Sequence, residues 1–471
     1  MKKSEYLLKN MGILTLSNFA SKILVFLLVP IYTSILSTEE YGSYDLAVST
    51  ATLLFPILTL NIVDAVMRFS MDKDYSKEKI ACIGMKFISF SVILFGLGMF
   101  ILDRFLLLPD IHGLELFVFL YYSSYAFNQF LIQFAKGLEK VKDMGVAGVI
   151  STIITLVANI LFLLVFNWGL TGFFFANILA QALSAFYLMA RVEFFKFITN
   201  LKIDRKVTKE MLIYCVPLIA TTVGWWINST ADRYVVTFMI GVSANGLLSV
   251  SYKIPQIINT LQSIFIQAWQ ISAIKEYGNE DTCTFYGNTF SIINILMCIV
   301  CSWLILLTKP IAQILYAKDF LSAWRYVPFL LIASVLNCAS GLLGPILSAK
   351  KNSKAMMWSA FIGAGANIIL NIVLVYIIGI QGATIATVIS SYIVYVVRKI
   401  AARKEIIIEY YATILLTWGL LFVQATVEIY VGKWWIEGFI MIILFFINIP
   451  TLKKLKITMS GVFDSIKFKW K

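Results

Sequence analysis

The sequence predicts an all-α integral membrane protein with about fourteen transmembrane helices, and three observations carry that prediction. Of 471 residues, 60% are hydrophobic and only 14% charged, far below the roughly 25% of an ordinary soluble domain, and the mean hydropathy is +0.84. Stretches such as Ile153 to Phe166 and Phe439 to Ile449 are almost continuously apolar, whereas the strands of a membrane barrel alternate apolar and polar residues. Windows of about 20 apolar residues, the length that crosses a bilayer as a helix, recur along the whole chain.

In order, the expected spans are 11–36, 42–67, 81–102, 113–135, 144–166, 170–191, 211–239, 245–272, 284–308, 325–348, 355–378, 381–398, 406–430 and 433–452. The first follows Lys2, Lys3 and Lys9; its apolar stretch is too long for a signal-peptide core and lacks a small-residue cleavage site, so it reads as a retained helix. Orientation comes from loop lysines and arginines, which concentrate on the cytoplasmic side. With the N-terminus inside, alternate loops and the termini carry thirty such residues and the opposite loops five: Arg104, Lys309, Lys318, Arg325 and Lys433. Both termini are therefore expected in the cytoplasm, as an even span number requires. The net charge of +13 is then mostly cytoplasmic-face charge facing anionic lipid, not a nucleic-acid surface.

An internal repeat sets the expected domains. Thr33 to Gly42 (TSILSTEEYG) aligns with Thr237 to Gly246 (TFMIGVSANG) at an offset of 204, and Lys142 and Asn159 align with Lys354 and Asn371 at 212. TGFFFA (171–176) aligns with QGATIA (381–386) at 210. These offsets equal six spans, which implies two parallel halves, as in transporters built from parallel repeats. The expected division is an N-lobe over 1–195, a cytoplasmic linker over 196–210 and a C-lobe over 211–404. An appended helix pair follows over 405–452, then a basic tail over 453–471 suited to lying along the inner leaflet.

Several chemistries are disfavoured. His112 is the only histidine and no GxxxxGK loop occurs, which removes His-dependent acid–base catalysis, most zinc schemes and P-loop ATP hydrolysis. The six cysteines are scattered; Cys298 and Cys301 form a CxxC inside the apolar run Ile292 to Leu307 and read as packing residues. No metal and no cofactor is expected. The outside loops, about 103–113 and 309–324, are too short for a catalytic domain, so the chain reads as a transporter rather than an enzyme.

Charges inside the spans are expensive, about 2.5–3.5 kcal/mol each near a helix centre, and so are candidates for function. They are Lys22, Lys86, Arg233 and Lys253, with Arg68 near a span end, and the acids Asp45, Asp64 and Asp232. A chain of cations at several depths is what an anionic headgroup needs in order to cross. The competing reading is structural: interhelical salt bridges such as Asp45 with Lys253, i,i+4 neutralisation of Asp64 by Arg68, and snorkelling of Lys86. Polar and aromatic residues crowd spans 4, 7 and 8, where Trp225, Asn128, Gln129, Asn259 and Gln262 suit sugar hydroxyls. Trp269 fits an interfacial belt better.

A family resemblance follows from SNFASKILVFLLVPIYTSILSTEEYGSYDLAVS (Ser17 to Ser49), DAVMRF (Asp64 to Phe69), NSTADRYVVTFMIG (Asn228 to Gly241) and LLSVSYKIPQII (Leu247 to Ile258). The chain resembles the polysaccharide transporter family of O-antigen and capsule-unit flippases, within the multidrug, oligosaccharidyl-lipid and polysaccharide exporter superfamily. The resemblance implies flipping of an undecaprenyl-diphosphate-linked oligosaccharide across a bacterial plasma membrane, by two six-helix lobes around a cationic cavity with a lateral opening for the lipid tail. The family's embedded basic positions correspond here to Lys22, Arg233 and Lys253, and polymerase and chain-length proteins become expected partners. Asp45, Asp64 and Asp232 are candidates for ion coupling. Three rivals stay open: a cation-coupled drug antiporter of the same superfamily, a peptidoglycan lipid-precursor flippase, and a membrane glycan polymerase or ligase.

Overall fold

The computed structural model describes residues 26–72, 74–104, 113–198, 204–350 and 352–453. Among these residues every regular element is helical, as hydrocarbon demands of a chain that must satisfy its backbone N–H and C=O groups internally. Contacts divide the chain into two compact units. The first runs to Thr237 and adds Gly241–Gly246 and Leu315–Phe320; the second takes Phe238–Ile240, Leu247–Ile314 and Leu321 onward.

In the first unit, α1 (Val29–Ile35) ends two residues before α2 (Thr38–Leu58). A capping box starts α2: Glu40 N–H donates to Ser37 Oγ at 3.1 Å, and Ser37 N–H donates to Glu40 Oε2 at 2.7 Å, satisfying two otherwise orphaned donors. The span expected at 42–67 is not one straight helix. It breaks after Leu58 and resumes as α3 (Ile62–Ser70) with a bend of 60°. Three local causes coincide there: Pro56 lies in the last turn of α2, Thr59 Oγ1 back-bonds to Phe55 O at 2.6 Å, and Leu60 and Asn61 both take left-handed conformations. Asparagine tolerates that region better than most residues.

The rest of the first unit is α4 (Lys77–Arg104), α5 (Glu115–Gly137), α6 (Val141–Asn159), α7 (Gly169–Arg191) and α8 (Arg205–Met239), the last mostly within this unit. The α6 helix runs on as a π-helical stretch, Ile160–Val165. Its centre is α5, which packs on α3, α4 and α7. Tyr122 stacks on Phe95 with ring centroids 4.0 Å apart, and Phe130 and Phe134 meet Phe194 edge-on. The N-terminus of α8 is tied down by polar contacts: Lys79 donates to Asp204 at 2.8 Å and Tyr75 donates to Glu210 at 2.9 Å.

The short helix α9 (Val242–Ser251) leads into the second unit, which continues as α10 (Gln256–Lys275), α11 (Thr282–Leu306), α12 (Thr308–Leu315), α13 (Val327–Ala349), α14 (Ser353–Ile378), α15 (Ile380–Ala402), α16 (Tyr411–Tyr430) and α17 (Trp434–Ile447). A 3-10 segment, Lys318–Tyr326, precedes α13. Almost every residue of α13 is buried, and α10, α11, α15 and α16 pack around it. The span expected at 245–272 is also interrupted, by a turn over 252–255 that ends in Pro255, which has no N–H to give its helix. The last two helices join the second unit through hydrogen bonds: Gln424 exchanges two with Ser302 at 2.8 and 3.0 Å, Trp418 donates to Asn294 at 3.2 Å, and Asn448 donates to Thr417 at 2.9 Å.

Nine helices among the described residues are long and apolar enough to cross a membrane, or ten counting the bent pair, with α17 shorter. Of the five expected spans outside the nine, the first lies largely on residues outside the described ones, the second is bent, the eighth is interrupted, α17 is too short, and α5 is not among the nine.

Small residues let two helices of the first unit approach closely. A Cβ at Gly246 would run into the Thr38 carbonyl, and one at Gly42 into the Val242 carbonyl, whereas Gly98 faces open space. Gly246→Val and Gly42→Val are expected to abolish monodisperse expression in detergent, measured by size-exclusion profile, while Gly98→Ala leaves it unchanged. Asp204 gives a pH prediction. Its hydrogen bond from Lys79 holds the carboxyl below the usual aspartate range. Such a group stabilises the fold above its unfolded pKa, about 3.9, and that stabilisation is lost as pH falls through the depressed value. Asp204→Asn keeps a side-chain acceptor for the Lys206 and Val207 N–H groups, so melting curves between pH 6 and about pH 3 should show a shallower acid loss than wild type.

Candidate functional site

The capping box at Ser37 fixes where α2 begins, and Asp45 and Ser49 then fall on one helical face at i,i+4 spacing. Arg233, near the C-terminal end of α8, reaches that face: its Nη1 donates to Asp45 Oδ1 at 2.6 Å and to Ser49 Oγ at 3.4 Å. The two side chains are 22% and 13% exposed. Asn245, in α9, donates to the Gly42 carbonyl at 3.1 Å and to Asp45 Oδ2 at 3.5 Å, tying the cluster to a third helix. The neighbouring Asp232 is almost fully buried and accepts the Arg233 backbone N–H at 2.9 Å. Sequence neighbours on a helix point apart, and here they do so: the Arg233 guanidinium turns to α2.

Along the same α2–α8 seam, the Tyr234 hydroxyl bonds Thr50 at 2.7 Å and Trp226 Nε1 donates to Thr52 Oγ1 at 3.4 Å. The Trp226 and Tyr234 rings meet edge-on at 5.4 Å. One guanidinium is thus held by a carboxylate and a serine hydroxyl, beside an amphipathic aromatic pair. Guanidinium geometry matches carboxylate and phosphate alike.

Other expected residues are placed separately. Asp64 and Arg68 do not neutralise each other: Asp64 accepts from Asn61 Nδ2 at 2.8 Å, and Arg68 pairs at 3.8 Å with Asp72 while 54% exposed. The left-handed break at Asn61 turns that amide onto the first turn of α3, which satisfies Asp64 locally. Lys253 lies half-buried in the 252–255 turn between α9 and α10. Within the second unit Asn259 is half-buried and Gln262 donates to the Asn337 carbonyl of α13 at 3.4 Å. In the first unit Asn128 is buried and donates to Gln181 across α5 and α7; Gln129 is half-buried. Buried and unpartnered, Asn128 Oδ1 and Gln133 Oε1 leave polar capacity inside the first unit. Lys22 and the side chain of Trp225 lie outside the described residues. Trp269 is not an interfacial residue: it is 3% exposed and donates to the Leu342 carbonyl at 2.9 Å.

Sequence reasoning missed Asn245, Gln181, Arg398, Glu428 and Glu437. Arg398, expected at a cytoplasmic loop, is buried in α15 and donates to Ser359 Oγ and the Ser340 carbonyl, both at 3.0 Å. Glu428 and Glu437 are 3% and 1% exposed. An acid or arginine inside an apolar window was the available signal for these last three.

The described residues form an all-helical bundle of long apolar helices with charged side chains paired inside it, and comparison with known proteins says what it is similar to. The chain belongs to the polysaccharide biosynthesis protein family, whose model matches residues 7–270. Its fold is similar to that of the lipid II flippase MurJ in an inward closed conformation (15% identity, TM-score 0.66), covering 94% of this chain and 99% of that one. It is also similar to an inward-facing multidrug resistance MATE family transporter of the MOP superfamily (15% identity, TM-score 0.62, 81% and 94% covered). A third likeness is to a MATE transporter of Vibrio cholerae (13% identity, TM-score 0.52, 84% and 99% covered). The fold is thus that of MOP-superfamily transporters. A sequence comparison with curated proteins finds no match.

The Arg233–Asp45 pair is testable by a double-mutant cycle. Removing one partner of an ion pair costs little at the surface and about 3–5 kcal/mol in a core; for this partly shielded pair each alanine substitution is expected to cost about 2 kcal/mol. Melting of Asp45→Ala, Arg233→Ala and the double variant should show a double loss well below the sum of the single losses. Additivity would remove the coupling.

Proposed function

We propose that the protein is a flippase that carries an undecaprenyl-diphosphate-linked oligosaccharide repeat unit from the inner to the outer leaflet of a bacterial plasma membrane, by alternating access, for O-antigen, capsule or exopolysaccharide assembly. Both termini are then cytoplasmic, as the loop charges indicate, and the product passes to polymerase and chain-length proteins. The observation that carries the reading is Arg233, held at 2.6 Å by Asp45 in a hydroxyl-lined seam, in a chain of the polysaccharide biosynthesis family. A diphosphate and many sugar hydroxyls cannot enter hydrocarbon without compensating partners, and a braced guanidinium offers one to the diphosphate.

In this reading Asp45 holds Arg233 when the substrate is absent and yields it to the diphosphate when the substrate binds. Lys253 and Lys22 supply further positive charge along the path, and Arg68, exposed near the end of α3, meets the headgroup first. Asn128, Gln129, Asn259, Gln262 and Trp225 serve the glycan, with amides that exchange their present partners for hydroxyls. Asp45, Asp64 and Asp232 are the acids available for ion coupling or charge balance.

Reconstitution in sealed vesicles with a polyprenyl-diphosphate oligosaccharide on one face tests the reading, with access of an impermeant glycan-cleaving enzyme as the signal. Wild type should expose the glycan. Arg233→Ala should slow exposure roughly tenfold to a hundredfold, the equivalent of one charge-assisted hydrogen bond of about 1.5–3 kcal/mol, with Lys253→Ala and Lys22→Ala slowed in the same direction. No exposure above empty vesicles, with a cationic dye moved under an ion gradient instead, would turn the reading to a drug antiporter. Exposure of a peptidoglycan lipid precursor in preference to the oligosaccharide would turn it to a precursor flippase.

A further inference from the structure

The second unit contains a charge cluster that the flippase reading does not use. Glu428, in the last turn of α16, and Glu437, in the first turn of α17, lie on either side of the short turn joining the two helices, and both are buried. The facing cation is Lys309 of α12, whose Nζ lies 3.6 Å from Glu428 Oε1 and donates to the Glu428 carbonyl at 3.4 Å. That ammonium is partly shielded, its side chain 35% exposed: Trp324 lies beneath it with its ring centroid at 4.5 Å, and a Cβ at Gly432 would stand 2.9 Å away. The other cations nearby face rings, Arg325 at 5.8 Å over Trp324 and Lys433 at 5.8 Å over Trp435. From α11, the side chain contributed to α16 here is the neutral Ser302, bonded to Gln424.

The charges do not balance if both acids are ionised. Two carboxylates then share one ammonium, Lys309, which lies 3.6 Å from Glu428 and offsets Glu437 more weakly, so one negative charge is left over. Neither oxygen of Glu437 meets a donor, and a lone buried carboxylate relieves that cost by taking up a proton. Its neighbour within hydrogen-bonding reach is the Glu428 carboxyl, an acceptor for the O–H so formed. A metal cation fits less well, because Lys309 already fills the cationic position and no cluster of three metal-ligating side chains exists among the described residues.

We propose that Glu428 and Glu437 form a proton-binding site that holds one proton between the two carboxyls and fastens α17 to α16. The step is protonation alone: a proton from water adds to the Glu437 carboxylate, and the acid donates to Glu428. When the proton leaves, two like charges face each other in an apolar setting with one ammonium to serve both, and the turn end of the helix pair loses its fastening. The site belongs to α12, α16 and α17 of the second unit.

Infrared spectroscopy of the purified full chain in detergent tests it. At neutral pH wild type should show the C=O stretch of a protonated carboxylic acid, shifted in D2O and lost as pH is raised. Glu437→Gln should lack the band. A proton held in the folded state stabilises at low pH and is lost as pH rises, so wild-type melting temperature should fall through the alkaline titration while Glu437→Gln, whose amide imitates the neutral acid, stays flat. A band and a melting profile identical in wild type and Glu437→Gln would overturn the proposal. If Glu437→Gln does not fold, Glu437→Asp takes its place: a shifted band or titration midpoint supports the site, and an unshifted band overturns it.

Discussion

An ionised side chain inside hydrocarbon has to find its counter-charge, or give up its own charge, within the protein that carries it. The rest of this structure depends on that constraint. Arg233 meets it with Asp45 and Ser49, Arg398 with a serine hydroxyl and a backbone carbonyl, and Lys309 with Glu428 and the face of Trp324. Each solution uses groups on different helices, so the polar contacts that neutralise charge are also those that set which helices stand together. Apolar packing between membrane helices lacks the hydrophobic driving force available in water, and polar contacts of this kind supply register that leucine and valine cannot.

The same constraint explains what was legible in the amino-acid sequence. Uninterrupted apolar runs located α7, α11, α13 and α14 to within a few residues, because a window average reports the apolar content of a straight helix well. It is blind to the backbone. Pro56 and Asn61 break one window and Pro255 interrupts another without lowering its apolar content, so two spans expected as single helices are bent or interrupted. Those breaks carry positional meaning: one orients α3, and the other sets Lys253 in a turn instead of on a helical face.

The candidate site was half legible. That Asp45, Arg233 and Asp232 lie inside apolar windows is a one-dimensional fact, and the sequence contains it. Which of them pair is three-dimensional. Spacing favoured Asp64 with Arg68, yet Asn61, turned by its left-handed backbone, satisfies Asp64 first. Asn245 escaped notice because an amide near a helix start usually serves its own backbone, whereas here it reaches Gly42 and Asp45. Glu428 and Glu437 were overlooked for a different reason: each stands alone near one end of an expected span, 406–430 or 433–452, and only the packing of α16 and α17 with Lys309 brings them together. Trp269 shows the converse, a residue type common at interfaces that the fold uses as a buried donor.

The length of α8 has a mechanical consequence. Its 35 residues rise about 52 Å, and the helix is fastened at both ends of that length, through Asp204 and Glu210 at one and through Trp226, Arg233 and Tyr234 at the other. A rod held at both ends behaves as a strut under load. Pro217 lies between the two fastenings, at the place where one backbone hydrogen bond is already missing. The helix is therefore least stiff at Pro217, between its two fastened stretches.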